Sequence, residues 1–201
     1  LVKNLKIFDI NNVYLQVKCR QMLKSIIIFF RNKRIGKNLM QIRELQFPDL
    51  QKYPTVTIMI DDNQKKVVKD MDAFLMGTMK PKRIRFIVLT ESLQDDFLQS
   101  DTMFFIESKD FNKFGVLKKE KELSLKSYHD EIFVNLSDNN ENLLNDYLVS
   151  CINSTFKIGH TNADMNLHDL IIDCGIEKND VERLKIIYKY LMMLSGNKNE
   201  K

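Results

Sequence analysis

The stretch IFVNLSDNNENLLNDYLVSCINSTFKIGHTNADMNLHDLIID, residues 132–173, decides the fold. Its apolar patterning predicts, in order, a strand, a helix and two further strands, at residues 131–136, 141–153, 155–158 and 167–174. Gly159 is expected to close the strand at residues 155–158. Two strands that are separated by a helix favour parallel pairing with a right-handed crossover. The stretch is therefore typical of a wound α/β sheet.

The chain on both sides continues this pattern. We predict strands at residues 55–60, 83–90 and 102–106, a helix that starts at Asn63 and stops at Gly77, and a last helix at residues 180–194. A long basic helix is predicted at residues 17–45, imperfect near Gly36. The expected fold class is α/β, with a mostly parallel, Rossmann-like sheet of five or six strands, flanking helices and a long basic N-terminal helix in front of them.

We divide the 201 residues into four segments. Residues 1–21 are expected to be an extension foreign to the native chain or a poorly ordered segment, because residues 1–12 follow neither a helical nor an alternating pattern; the natural start is then near Met22. Residues 22–52 form the basic amphipathic helix and its connector. Residues 53–195 form a single α/β domain, and residues 196–201 a polar tail.

The cysteines and the apolar runs bear on the compartment. Cys19, Cys151 and Cys174 are odd in number and widely spaced, which favours buried free thiols over disulfides. No apolar run approaches the roughly 18 residues that cross a bilayer. We expect a cytoplasmic protein, with attachment to the periphery of the inner membrane as an option.

Positive charge is concentrated at the N-terminal side. Residues 1–52 carry eleven Lys and Arg against three Asp and Glu, and no acidic residue lies between Lys18 and Arg43. Such a segment attracts phosphate-rich surfaces. The partner is expected to be an anionic membrane surface, an RNA-rich particle or a protein; the alternative is a solvated face on a helix docked to its own sheet. The predicted binding cations are Lys24, Arg31, Lys33, Arg34, Lys37 and Arg43.

The order IFVNL, helix, FKIG, HDLIID and a helix that ends in KYL resembles a family of small α/β proteins of unknown function from Bacteroidota. The resemblance spans residues 22–194 and implies a fold but no activity, cofactor or catalytic residue. More distantly, the strand, helix and FKIG are similar to the N-terminal half of heptosyltransferase-like glycosyltransferases. The chain has room for only one such half. The alternative function is therefore a small glycosyltransferase-like or nucleotide-sugar-related enzyme with a strand-end cleft.

Polar residues at predicted strand ends are the candidates for chemistry, because open α/β sheets bind ligands outside the carboxyl ends of their strands. They are Asp61, Asp62, Thr90, Glu91, Asn135, Ser137, Asp138, His160 and Asp173. We select Asp61, Asn135 and His160 as the catalytic candidates, since a carboxylate and an imidazole can share proton transfer. The alternative is that these side chains cap helices and form turns.

Neither a metal nor a cofactor is expected. His129, His160 and His168 are scattered and no cysteine pair accompanies them, so no ligand pattern is present. The glycines do not form a phosphate-binding loop. The leading expectation is a non-catalytic binding or scaffold domain, attached through its basic helix.

Overall fold

The computed structural model describes residues 2–41, 43, 45–91, 101–138, 143–160, 163–175 and 179–196, with the side chains of α1 from Lys18 onward. The strands are β1 Thr55–Asp61, β2 Arg83–Thr90, β3 Met103–Glu107, β4 Ile132–Asn135, β5 Phe156–His160 and β6 Leu170–Ile172. The helices are α1 Val2–Leu39, α2 Val68–Thr78, α3 Lys119–Lys126, α4 Leu144–Cys151 and α5 Asp180–Gly196. Short 3-10 helices lie at Leu50–Lys52, Asp62–Val67 and Ser108–Asp110.

The six strands form one sheet in the order β3-β2-β1-β4-β5-β6, and every pair is parallel. The β-branched and apolar run of β1 occupies the centre, where Ile58 is in register with Phe86 of β2 and Val134 of β4. Such strands suit a sheet that is covered on both faces. The predicted fold class, a parallel α/β sheet with flanking helices and an N-terminal helix, is confirmed.

Alternation along the strands divides the apolar side chains between two cores. Val56, Ile58 and Ile60 of β1 belong to the core that α5 and α2 complete through residues such as Leu184 and Met71. Met59 belongs to the opposite core, which α3 and α4 cover. The molecule is thus a three-layer α/β/α domain, and α1 lies on its α4 side.

The N-terminal helix is longer than predicted at its start and shorter at its end. It begins at Val2, although residues 1–12 lack a clear helical pattern, and it continues through Gly36 to Leu39. Beyond Met40 the chain leaves the helical path, and Arg43 reaches across to Asp169. From Ile27 to Asn38 the helix packs on the domain, whereas residues 18–25 are exposed.

Two glycines do not act as predicted. Gly77 lies inside α2, and the left-handed residue that follows this helix is Lys80, at φ 49° and directly before Pro81. Gly159 does not end its strand but lies within β5. A Cβ at Gly159 would come within 2.5 Å of the Ala163 Cβ, so glycine is needed there for close packing and not for a turn.

Two further expectations need correction. Cys151 and Cys174 are buried free thiols as predicted, but Cys19 is exposed, because the part of α1 that carries it projects from the domain. The helix α3 was not predicted. Its sequence KEKELSLK is mostly charged, and Leu125 is its one fully buried apolar side chain, so no apolar stripe marks it.

Candidate functional site

The strand order reverses between β1 and β4, and the polar residues predicted at strand ends gather at this switch point. Parallel α/β sheets usually bind ligands there, since the loops on the two sides run apart and leave a crevice. Asp61 is the last residue of β1 and Asn135 is the last residue of β4. The topology therefore brings these two candidates to one edge of the sheet.

Asp61 joins the end of β1 to the segment after β4. Its Oδ1 accepts a hydrogen bond from the Ser137 hydroxyl at 2.6 Å, and its Oδ2 accepts one from the Asp138 backbone N–H at 2.9 Å. Both carboxylate oxygens are thus engaged in holding the next loop. This arrangement is the turn-forming role that strand-end aspartates commonly have.

Asn135 belongs to a buried amide network. Its Nδ2 donates to the Asn145 Oδ1 at 3.0 Å and lies 3.4 Å from the His168 Nε2, while its Oδ1 accepts from the Ser137 N–H at 3.2 Å. Asn145 in turn donates to the Ser137 carbonyl oxygen at 2.9 Å. The network fixes α4 and the loop before β6 on the end of β4.

His160, at the end of β5, pairs with Asp138. The His160 Nε2 lies 3.2 Å from the Asp138 Oδ1, and the ring also bonds to the backbone of Leu136 and Ser137. Arg183 of α5 donates to the other Asp138 oxygen at 3.0 Å and contacts Asp180 at 3.4 Å. Burial lowers the pKa of His160; the Asp138 charge acts in the opposite direction.

The other strand-end residues form separate local contacts. The Thr90 hydroxyl donates to the Asp62 Oδ2 at 3.0 Å, and Lys65 pairs with the same carboxylate. The Asp173 Oδ1 accepts the Gly175 N–H at 3.0 Å, which closes a turn after β6. Glu91 is exposed at the end of β2. These four positions do not join the group at the switch point.

The three catalytic candidates therefore lie in one neighbourhood, but their polar atoms are engaged by the protein itself. Asp61 and Asn135 hold loops, and His160 holds Asp138. A general base needs a nitrogen or oxygen aimed at substrate. In the part of the chain that the structure describes, no three His, Cys, Asp or Glu side chains are grouped so that they could hold a metal ion.

Three participants in the switch-point group were not predicted from sequence. Asn145 lies inside a helix, His168 inside a loop, and Arg183 in the first turns of α5. No strand end marks any of them. A sequence offers one signal for such residues, which is a polar residue within an otherwise apolar segment. That signal does not identify the hydrogen-bond partners of the residue.

The basic helix presents only part of its charge to solvent. Lys24, Lys33 and Lys37 are exposed, and Arg34 is half-buried. Arg31 is buried: its Nε donates to the Gly115 carbonyl oxygen at 2.7 Å, and its guanidinium lies 5.5 Å from the centre of the Phe111 ring.

Arg43, which follows α1, is also used within the domain. It forms an ion pair with Asp169, with 2.7 Å between Nη1 and Oδ2, and donates to the Ser154 carbonyl at 2.9 Å. Two of the six predicted binding cations thus hold α1 and its connector on the sheet.

An apolar stripe runs along α1 on the side away from the domain. Met22, Phe29 and Met40 are 62%, 63% and 85% exposed. At about 100° per residue Met22 and Phe29 lie together and opposite the domain-facing Ile27 and Asn38. Met40 directly follows α1 and continues this side, because its N–H still bonds to the Gly36 carbonyl oxygen at 3.3 Å. We call Met22, Phe29 and Met40 the outer stripe. Lys18 and Lys33 flank it, so the exposed face of α1 is both apolar and cationic.

None of the described helices combines the length and the apolar content that crossing a membrane requires. This holds for α1 as well, because Lys and Arg residues interrupt every stretch of it that is long enough to cross a bilayer.

The comparisons with known proteins give a family. A model of a family of unknown function, DUF6913, matches residues 28–194. The chain belongs to this family. The match begins close to Ile27, where α1 reaches the domain, and covers all six strands of the DUF6913 fold. Neither a curated protein nor a solved structure matches the chain.

Proposed function

We propose that this DUF6913 protein is a non-catalytic domain that α1 attaches to an anionic membrane surface. The observation that carries the proposal is the outer stripe of Met22, Phe29 and Met40, exposed on the side of α1 away from the domain and flanked by lysines. Helices with an apolar face bordered by Lys and Arg lie in the interface plane of anionic bilayers.

The distribution of charge supports this partner. No acidic residue lies between Lys18 and Arg43, so a negatively charged surface meets no repulsion along that length. Lys33 and Lys37 are exposed, and long lysine side chains extend toward the polar interface. Attraction to anionic lipid contributes about 1 kcal/mol for each such cation.

Membrane is a better match than RNA because of the apolar residues between the cations. Proteins that bind single strands place aromatic rings along a basic groove for base stacking. From Lys18 onward the aromatics of α1 are Phe29 and Phe30, and Phe30 packs on Phe114 with 4.5 Å between ring centroids. Phe29 and two methionines remain outside, which suits shallow insertion among acyl chains.

A glycosyltransferase-like activity at the strand ends has less support. The side chains of Asp61, Asn135 and His160 lie near one another, as that alternative requires. Their polar atoms, however, contact Ser137 and Asp138 in the loop after β4. No observation on the described residues provides an acceptor or donor subsite beside Asp61, Asn135 and His160. We therefore treat this group as the structure that closes the switch point.

The proposal is tested by co-sedimentation of the full chain with vesicles of phosphatidylcholine alone and of phosphatidylcholine with phosphatidylglycerol. We expect binding to the anionic vesicles only, and weaker binding as salt rises. The double variant Lys33→Gln/Lys37→Gln should lower the partition coefficient roughly 30-fold, at about 1 kcal/mol per cation. The matched control is Lys66→Gln/Lys69→Gln, which neutralises two exposed lysines on the opposite side of the sheet.

A second pair of variants separates insertion from charge. Phe29→Ser should weaken vesicle binding without changing its salt dependence, while the control Phe114→Ser alters an aromatic that packs against α1. Equal sedimentation with both vesicle types, or binding to total RNA but to neither vesicle, would overturn the proposal.

A further inference from the structure

A cavity of about 680 Å³ opens at the edge of the sheet opposite the switch point. It lies at the amino-terminal ends of β4 and β5, where Glu131, Ser154 and Thr155 line it, and the end of α1 forms another wall through Asn38. Its volume is within the range of roughly 300 to 1,000 Å³ that is typical of small-molecule sites. No residue of the switch-point group lines it.

Ser154 places a buried hydroxyl at the wall of this cavity. The residue is 2% exposed, and its Oγ has no hydrogen-bond partner among the residues that the structure describes. A buried hydroxyl without a partner costs about 1–3 kcal/mol. Such a group is expected to meet a ligand, since the cavity that it lines has room for one.

Lys157 supplies a buried cation to the same cavity. It is 6% exposed, and its Nζ donates to the Val149 carbonyl oxygen at 2.8 Å, which leaves further N–H donors on the ammonium. Burial, and secondly the charge of Arg43, lower the pKa of Lys157 to about 8. The site therefore disfavours the ammonium form, and a negative group beside it would favour that form again.

The neighbouring carboxylates do not fully compensate the positive charge of Lys157. Asp169 raises the pKa of Lys157, but both of its oxygens are bound by Arg43, so two cations share one carboxylate. Asp130 faces Arg83 and Arg85. Glu131, at the rim, accepts the Thr55 backbone N–H at 2.7 Å. A further negative group in the cavity would thus be stabilised.

We propose that this cavity binds a small organic anion, with a carboxylate or phosphate group that accepts hydrogen bonds from the Ser154 hydroxyl and the Lys157 ammonium. Charge-assisted hydrogen bonds of this kind are about twice as strong as neutral ones. The polar body of the ligand lies toward Asn153 and His129, whose side chains line the same cavity.

Calorimetric titration of the full chain tests the proposal. The probes are citrate, 3-phosphoglycerate and glucose 6-phosphate, with glucose and glycerol as uncharged controls. We expect saturable heat with at least one anion and none with the uncharged probes. Ser154→Ala should weaken that binding roughly tenfold. Ser195→Ala, on the far side of the sheet at the end of α5, is the matched control and should leave it unchanged.

The pKa of Lys157 is followed by NMR of lysine labelled at Cε. If Lys157 had only a structural role, this pKa would not change when the anion is added. A bound anion should raise this pKa, because it stabilises the ammonium form. Lys157→Met should abolish binding; if that variant does not fold, Ser154→Ala and the pKa measurement decide. The proposal is overturned if none of the three anions binds, if binding in Ser154→Ala equals the wild type, or if the pKa of Lys157 stays constant on saturation.

Discussion

The Nε–H group of Arg31 donates a hydrogen bond to the Gly115 carbonyl oxygen at 2.7 Å. The two residues are far apart in sequence: Arg31 lies in α1, and Gly115 lies in the turn between β3 and α3. The Arg31 side chain is buried and stacks near Phe111. This cation therefore docks α1 on the domain and is not available to a membrane.

Arg31→Met should lower the free energy of unfolding by about 2 kcal/mol, because a charged hydrogen bond is lost and the Gly115 carbonyl is left buried. Urea denaturation measures the difference. Lys33→Met is the matched control, since Lys33 is exposed two positions further along the helix, and its effect should stay within about 0.5 kcal/mol. Equal effects of the two variants would contradict the docking role of Arg31.

Two glycines give opposite predictions on substitution by alanine. Gly115 has a φ of 70°, and a Cβ there would lie 2.6 Å from the Ile27 Cγ2, so Gly115→Ala should destabilise by more than about 1 kcal/mol. Gly36 lies in α1 with nothing within 4 Å of its Cβ position. Gly36→Ala should raise stability by about 0.5–1 kcal/mol through helix propensity. Thermal unfolding of both variants measures the two changes in stability. A loss of stability in Gly36→Ala would contradict the second prediction.

Asp130, two residues before β4, pairs with two arginines and a hydroxyl. It is 1% exposed and bonds to Arg83 at 2.6 Å, to Arg85 and to the Thr57 hydroxyl. Asp130→Asn should cost about 3–5 kcal/mol, since it leaves buried guanidinium charge uncompensated. The exposed pair of Asp49 and Lys52 provides the control, and Asp49→Asn should have little effect on the urea midpoint. A small effect of Asp130→Asn would contradict this role and indicate that the Tyr128 ring, whose centre lies 3.6 Å from the Arg85 guanidinium, compensates the charge.

The sequence predicts the sheet well because its strands are continuous apolar and β-branched runs. Such runs belong in a doubly covered parallel sheet, and the predicted residues 83–90 match β2 at both ends. Helix α3 has no apolar stripe and was missed. Gly77 and Gly159 were misassigned because a glycine's role depends on φ and on close contacts, and neither can be read from the chain alone.

Prediction of side-chain roles was limited in the same way. That Asp61 and Asn135 lie at strand ends follows from the apolar runs before them. The inward direction of Arg31 depends on Gly115, which folding brings from a distant part of the chain. Charge patterning therefore identified a cationic helix but could not divide its cations between a partner and the domain.

Acid should destabilise the protein through His160. Burial holds the pKa of His160 below its ordinary value in the folded state. As the pH falls below about 6.5, the unfolded chain takes up a proton that the folded chain resists, so the free energy of unfolding decreases until the folded-state pKa is passed. Urea denaturation across this pH range measures the slope. His160→Gln should reduce this slope and leave the part that comes from His168, whose pKa burial also lowers, whereas His129→Gln, at an exposed position, is the control.

Asp138 sets how far the pKa of His160 is lowered, because its carboxylate lies 3.2 Å from the His160 Nε2 and favours the protonated ring. Asp138→Asn should therefore lower the pKa of His160 further, as read from the NMR shift of the ring Cε1 proton. A rise of that pKa in Asp138→Asn would mean that Arg183, which Asp138 also holds at 3.0 Å, moves away from the ring once its carboxylate is gone. In that case the charge of Arg183 would outweigh the charge of Asp138 in its effect on the pKa of His160.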